Sequence, residues 1–143
     1  MKPKSLLFLS IIIFAFLGGV IGCEGDLSSE DLLIGSWTNS YEEQEAESGI
    51  LIYRPTNFKE YSPSWYRNTF SLNSDGTCEY LVLAANDGHF FEKGIWNYDE
   101  NTNILTITYT RREMAPHLPS EDIAHKYEVI ELGKNILKLK SIS

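Results

Sequence analysis

"FSLNSDGTCEYLVL" (Phe70–Leu83) is the stretch on which the fold turns. Asp75-Gly76 stands between two runs rich in aromatic and branched residues, the strongest short hairpin signal a sequence carries. Phe70 and Leu72 share one face of the first run, so Ser71 points the other way. The same grammar repeats outward in both directions. "DENTN" (99–103) and "LGKN" (132–135) are further turns, the second with Gly133 free to take positive φ. Between them the chain reads as eight short strands, expected at 33–39, 49–54, 67–72, 77–84, 90–98, 103–110, 123–131 and 135–141. No stretch repeats apolar residues at helical spacing for long enough to form a substantial helix. The acidic run Tyr41–Ser48 has room for a turn or two. Alternation fixes the inward sides: Leu105, Ile107 and Tyr109 against Thr106 and Thr108, Tyr127 and Val129 against Lys126 and Glu128, Leu137 and Leu139 against Lys138 and Lys140. Strands with one apolar and one polar face need a sheet closed on itself, which also removes exposed edges. The expected fold is all-β: a single antiparallel up-and-down β-barrel of about eight strands.

The first 22 residues follow a different rule. Lys2 and Lys4 precede the apolar run Leu6–Leu17, and small residues then lead to Cys23, the order of a secretory signal. The run through Ile21 is nearly long enough to span a bilayer, so an anchor helix competes with that reading. "VIGC" (Val20–Cys23) decides between them. It resembles the lipobox of bacterial lipoproteins, with an aliphatic residue at −3 and a small one at −1. The resemblance implies cleavage before Cys23, acylation of that cysteine, and a place in the bacterial cell envelope at the outer membrane, on its periplasmic or external side. The chain then divides into a lipoprotein signal peptide (1–22), a lipidated tether (23–32) and a barrel domain (33–143). Loss of Lys2 and Lys4 takes the formal charge from −8 to −10, a balance that excludes nucleic acid as a partner. With Cys23 acylated, Cys78 has no intramolecular partner, and its strand position reads as a small buried hydrophobe.

"IGSW" (Ile34–Trp37), opening the first strand, resembles the G-x-W signature of lipocalins. "GIWNYDENTNILTITY" and "YEVIELGKNILKLKS" extend the likeness over 33–143 to the small lipocalin-like domains of bacterial lipoproteins. The resemblance implies that Gly35 allows close backbone approach and that Trp37 plugs one end of the barrel. Gly94 and Trp96 repeat the pair mid-chain. The chain departs from the larger family members in having no helix after the last strand and no arginine there to stack on the tryptophan. In an up-and-down barrel the acidic loop 40–48 and the tight turns 73–76, 99–102 and 132–134 share one end. The longer loops 55–66, 85–89 and 111–122 would then gather at the tether end, the place to look for function.

Phe58, Tyr61, Trp65 and Tyr66 are candidates for stacking on a ligand or partner, or for packing their loop onto the barrel. Arg111 and Arg112 are candidates for forking onto an anion, or form a solvated strand end. His89, His117 and His125 lack metal-ligand spacing, and the acidic loop around Glu42, Glu43, Glu45 and Glu47 lacks the pattern of a calcium loop. No nucleophile elbow or phosphate loop is present in the sequence. The expectation is a non-enzymatic, lipid-anchored binding protein without cofactor or metal. Its ligand would be small and hydrophobic or glycan-like, held in the barrel or in the loops at the tether end. The alternative is a protein-interaction module, an accessory subunit or inhibitor, using loops 55–66 and 111–122 on a filled barrel. Replacing Cys23 by Ser should leave the barrel folded and move the protein from the membrane to the soluble fraction, as read by fractionation. A variant that stays with the envelope overturns the lipobox reading.

Overall fold

The computed structural model describes residues 27–64, 66–84, 87–111 and 120–142. The signal segment and Cys23 therefore lie outside the described residues, as do Trp65, Arg112 and His117. A short helix α1 (Ser29–Leu33) leads into eight strands: β1 (Gly35–Asn39), β2 (Ile50–Pro55), β3 (Thr69–Leu72), β4 (Thr77–Leu83), β5 (His89–Asp99), β6 (Ile104–Arg111), β7 (Glu121–Gly133) and β8 (Ile136–Ile142). They close into one antiparallel barrel in the order β1-β2-β8-β7-β6-β5-β4-β3. The all-β, eight-stranded, closed antiparallel architecture is the one the alternation demands. No helix among the described residues is long and apolar enough to cross a membrane.

Local turn chemistry accounts for the meander from β3 to β8. At the β3–β4 turn Gly76 adopts φ +81°, and the Asp75 carboxylate accepts hydrogen bonds from the Thr77 amide (2.9 Å) and hydroxyl (2.6 Å). At the β5–β6 turn the Asp99 carboxylate accepts from the Asn101 amide and the Thr102 hydroxyl, and Asn103 takes the positive φ. The inward row is apolar or aromatic: Leu105, Ile107, Leu137 and Leu139 are wholly buried, with Phe70, Leu72 and Cys78 beside them. Each such side chain contributes roughly 1.5–3 kcal/mol over an exposed one.

The start of the chain departs from the expected organisation in two ways. The last residues read as tether form α1, because Ser28 caps it. The Ser28 hydroxyl accepts from the Asp31 amide (3.1 Å), while the Asp31 carboxylate receives the Ser28 amide and hydroxyl. The helix drives Leu33 into the barrel end, fully buried. The second difference concerns strand order. β1 pairs with β2 on one side and with β3 on the other, both antiparallel. β2 and β3 therefore run in the same direction, and the connection 56–68 must travel the length of the barrel past β1. This one crossover replaces a nearest-neighbour turn and inverts the expected arrangement of loops. The turns 73–76, 99–103 and 134–135 share the α1 end. The 40–49 loop stands at the far end, and β4 and β6 both end there. The longer loops do not gather where the tether arrives.

A clasp of charges holds the crossover. A 3-10 turn, Tyr41–Glu43, presents two acids. Glu42 takes both terminal nitrogens of Arg67 (2.6 and 2.9 Å), and Glu43 takes Arg54 (2.9 and 3.1 Å) and Lys59 (3.3 Å). The Arg67 guanidinium also lies 4.2 Å from the Tyr41 ring centre and 5.0 Å from that of Tyr61, and donates to the Asn39 and Ser62 carbonyls. Two acids of the loop 40–48, Glu42 and Glu43, are thus ion-paired. Hydrogen bonds, from Arg67 to Glu42 and from Arg54 to Glu43, pull both carboxyls down from 4.5 to about 2. A depressed carboxylate stabilises the fold fully above its ordinary value and loses that contribution as pH falls toward the lower one. Thermal stability should therefore drop between pH 4.5 and about 2. A Glu42→Gln, Glu43→Gln variant should be less stable at neutral pH and show a shallower acid fall, measured by circular dichroism.

Candidate functional site

Of the residues singled out in the sequence, the two tryptophans share a role. Trp37 is buried, and its indole N–H donates to the Leu33 carbonyl (2.8 Å). Trp96 does the same to the Asn73 carbonyl (2.8 Å) in the β3–β4 turn. Both plug the α1 end, each spending its single donor on main chain. Their glycines act differently. Gly35 has no neighbour where a side chain would sit, and its φ of +141° is what excludes other residues. Gly94 is the close approach: a β-carbon there would collide with the Thr108 carbonyl on β6.

The aromatic group does not form one surface. Phe58 lies under the Arg54 guanidinium, 4.9 Å from its ring centre. The Tyr61 hydroxyl donates to the Pro55 carbonyl (3.1 Å), with Lys59 and Arg67 over its ring. These two pack the crossover against the clasp. Tyr66 sits at the far end, donating to the Leu81 carbonyl (2.9 Å), accepting from Asn68 (3.1 Å), and meeting His89 edge to face. Arg111 pairs with its cross-strand partner Glu121 (2.8 Å), both about half exposed or more. It forms a solvated strand end.

Inside, the half of the barrel toward the far end is filled with rings. Tyr80 stacks on His125 (4.7 Å) and Tyr109 (5.0 Å), with Phe70 behind it (6.2 Å). The hydroxyls are shared inward: Tyr80 with Tyr127 (3.2 Å), Tyr109 with His125 Nε2 (3.2 Å), Tyr53 to Asn68 (2.8 Å). Burial raises the phenols of Tyr53, Tyr80, Tyr109 and Tyr127 and lowers the His125 imidazole, so all five are held neutral near pH 7. Glu92 points into the same interior, 3% exposed, and its charge adds to the rise at Tyr109. Because the rings stack on one another, this region is a polar-aromatic core. In the sequence His125 was weighed only as a metal ligand and Glu92 not at all, although period two from Tyr127 and from Trp96 places both inward. Among the described residues, no three His, Cys, Asp or Glu side chains assemble as a metal site.

The α1 end holds a cleft of about 570 Å³. Three parts of the fold build it: the end of α1 and start of β1 (Leu32, Ile34, Ser36, Trp37), the first residues of the crossover (Pro55, Thr56, Asn57), and Lys134 from the β7–β8 turn. Its size falls within the roughly 300–1,000 Å³ of small-molecule sites. Sequence reasoning missed it because α1 and the crossover each supply one wall, and neither was expected. A shallower hollow of about 280 Å³ lies on the other side of Leu32, against Val129–Leu132.

No family model matches the chain, and no curated protein or solved structure matches it either.

Cys78 is buried between Leu72 and Gly94, and burial pushes its thiol up to about 11. It should resist alkylation by iodoacetamide at pH 8 until the protein unfolds. Cys78→Ala should lower stability by about 1–2 kcal/mol, the scale of a small core truncation, with no loss of binding. Rapid labelling of the folded protein would mark a reactive thiol.

Proposed function

We propose that this is a lipid-anchored, lipocalin-like binding protein of the bacterial cell envelope, taking a small hydrophobic or glycan-like ligand in the cleft at the α1 end. The observation that carries the reading is that cleft, of ligand-sized volume and walled by apolar residues (Leu32, Ile34, Pro55) and polar ones (Ser36, Thr56, Asn57, Lys134) together. The stacked rings favour a site outside the barrel over one within it. The anchor argument bears on the same end. Cys23 stands four residues ahead of Leu27, so the intervening chain reaches about 14 Å at most. An acylated Cys23 would hold the cleft close to the bilayer surface, where a hydrophobic ligand is most available.

A second reading, a protein-interaction module, is favoured by the outer face of β4 and β5. There Leu83, Phe91 (50% exposed) and Ile95 (63% exposed) stand in water on a well-formed sheet. Native mass spectrometry of protein taken from its own membranes separates the two. The ligand reading expects a small-molecule adduct that disappears in Asn57→Trp, which fills the cleft from an exposed loop position. A protein adduct instead, lost in a Phe91→Lys, Ile95→Lys variant, would establish the second.

A further inference from the structure

We propose that the leading stretch of β7, Glu121–His125, is an open sheet edge that binds an extended segment of a partner protein by strand addition. The edge lies at the far end of the barrel and does not depend on the cleft. β7 runs for 13 residues, and β6 pairs with it from Glu128 back to Glu121. β8 reaches only to Lys126, which it meets with Ile142. Residues 121–125 are therefore laddered on one side alone. The phase of the β6–β7 ladder identifies the groups left over. The Val129 amide donates to the Asn103 carbonyl (2.8 Å), one step beyond the Ile104–Glu128 pair. Odd-numbered residues from Glu121 to Val129 thus turn their main-chain N–H and C=O toward β6, and even-numbered ones turn them away. Asp122 and Ala124, both exposed, have no main-chain partner on that side among the described residues. Where β4 outruns β3, by contrast, the Tyr66 hydroxyl meets the Leu81 carbonyl (2.9 Å). Unmet donors and acceptors along an exposed edge form a template for another chain.

The side chains describe the occupant. Ile123 and His125 point inward, while Asp122 and Ala124 point to solvent. Ile123 packs against the barrel core, so a strand added in line with β8 and antiparallel to β7 needs an apolar side chain beside it. Glu121 has Arg111 as its cation, but Asp122 accepts only from the Thr110 hydroxyl (2.7 Å) among the described residues. A basic side chain facing Asp122 supplies the missing charge, and small Ala124 leaves room for it. The segment that fits is extended, with apolar residues alternating with basic or hydroxyl ones. A second copy of this chain fits less well. Antiparallel pairing about Ile123 would set the two Asp122 residues diagonally adjacent on one face, roughly 7–8 Å apart. That adds repulsion between chains that each carry 20 acidic against 12 basic residues.

The test uses the full-chain protein in phosphatidylcholine nanodiscs. Residue-resolved hydrogen exchange should find the Asp122 and Ala124 amides about tenfold or more faster than those of Ile123 and His125. The probe is a capped peptide of two Thr-Val-Lys-Val repeats, which should bind and slow exchange at Asp122 and Ala124. N-methylation at its Thr and Lys residues should weaken binding about tenfold, the scale of one or two main-chain hydrogen bonds. N-methylation at its Val residues, whose amides face away from β7, should not. Ala124→Pro removes an N–H that β6 does not use, a place where an edge strand tolerates proline. It should weaken the probe as much while Ile123 and His125 stay protected. Uniformly slow or uniformly fast exchange over 122–125 removes the open edge and overturns the proposal. So does a probe that fails to bind, or that binds regardless of where it is methylated. A dimer in sedimentation that Ala124→Pro dissolves would make the occupant a second copy and overturn the partner segment.

Discussion

The barrel depends on β1 serving as the shared partner of β2 and β3. Five residues, Gly35–Asn39, are hydrogen-bonded on both sides to strands that run opposite to them. Two strands flanking a third in that way must be parallel to each other, and parallel strands cannot be joined by a hairpin. The segment 56–68 is the result, and its polar backbone has to be satisfied along the outside of the barrel. The clasp answers that need. Arg67 spends its guanidinium on Glu42 and on the Asn39 and Ser62 carbonyls, while Arg54 reaches Glu43 and the Asn135 carbonyl. An acidic protein thus uses its arginines chiefly as structural ties.

The same constraint creates the cleft. Pro55, Thr56 and Asn57 line it because the chain leaves β2 at the α1 end and turns back along the barrel. Leu32 and Ile34 line it because Leu33 is anchored in the barrel mouth and the Trp37 indole holds its carbonyl. The inside tells the complementary story. Tyrosine hydroxyls and one imidazole pair with each other across the lumen, so these buried polar groups find partners among themselves.

The hairpins were legible because their information is local. Asp75-Gly76 and Asp99–Asn103 each fix a turn within a few residues, and alternation then sorts every following side chain; Gly133, expected to turn the chain with a positive φ, instead ends β7 in extended pairing with Ile136 and leaves the turn to Lys134 and Asn135. The β1–β3 pairing was not legible, since no residue near Thr69 reports which strand it joins. α1 was half written: Ser28 followed by Asp31 is a capping pattern, yet a five-residue helix offers no periodicity to detect. Phe58 and Tyr61 announced a packed aromatic loop, but whether they face a ligand or a guanidinium depended on where the crossover runs.

The pairing of β2 with β8 also sets a schedule for folding. β2 meets a strand about eighty residues later in the chain, Tyr53 against Leu137, and until then both have open edges. The meander from β3 to β8 can zip from one hairpin to the next, while β1 and β2 wait, joined to it by the crossover. The cylinder shuts only when the last strand has been made and delivered. Until then the half-built sheet carries edges that invite pairing with other chains. For this topology, N-terminal residues are first to appear and last to find their place.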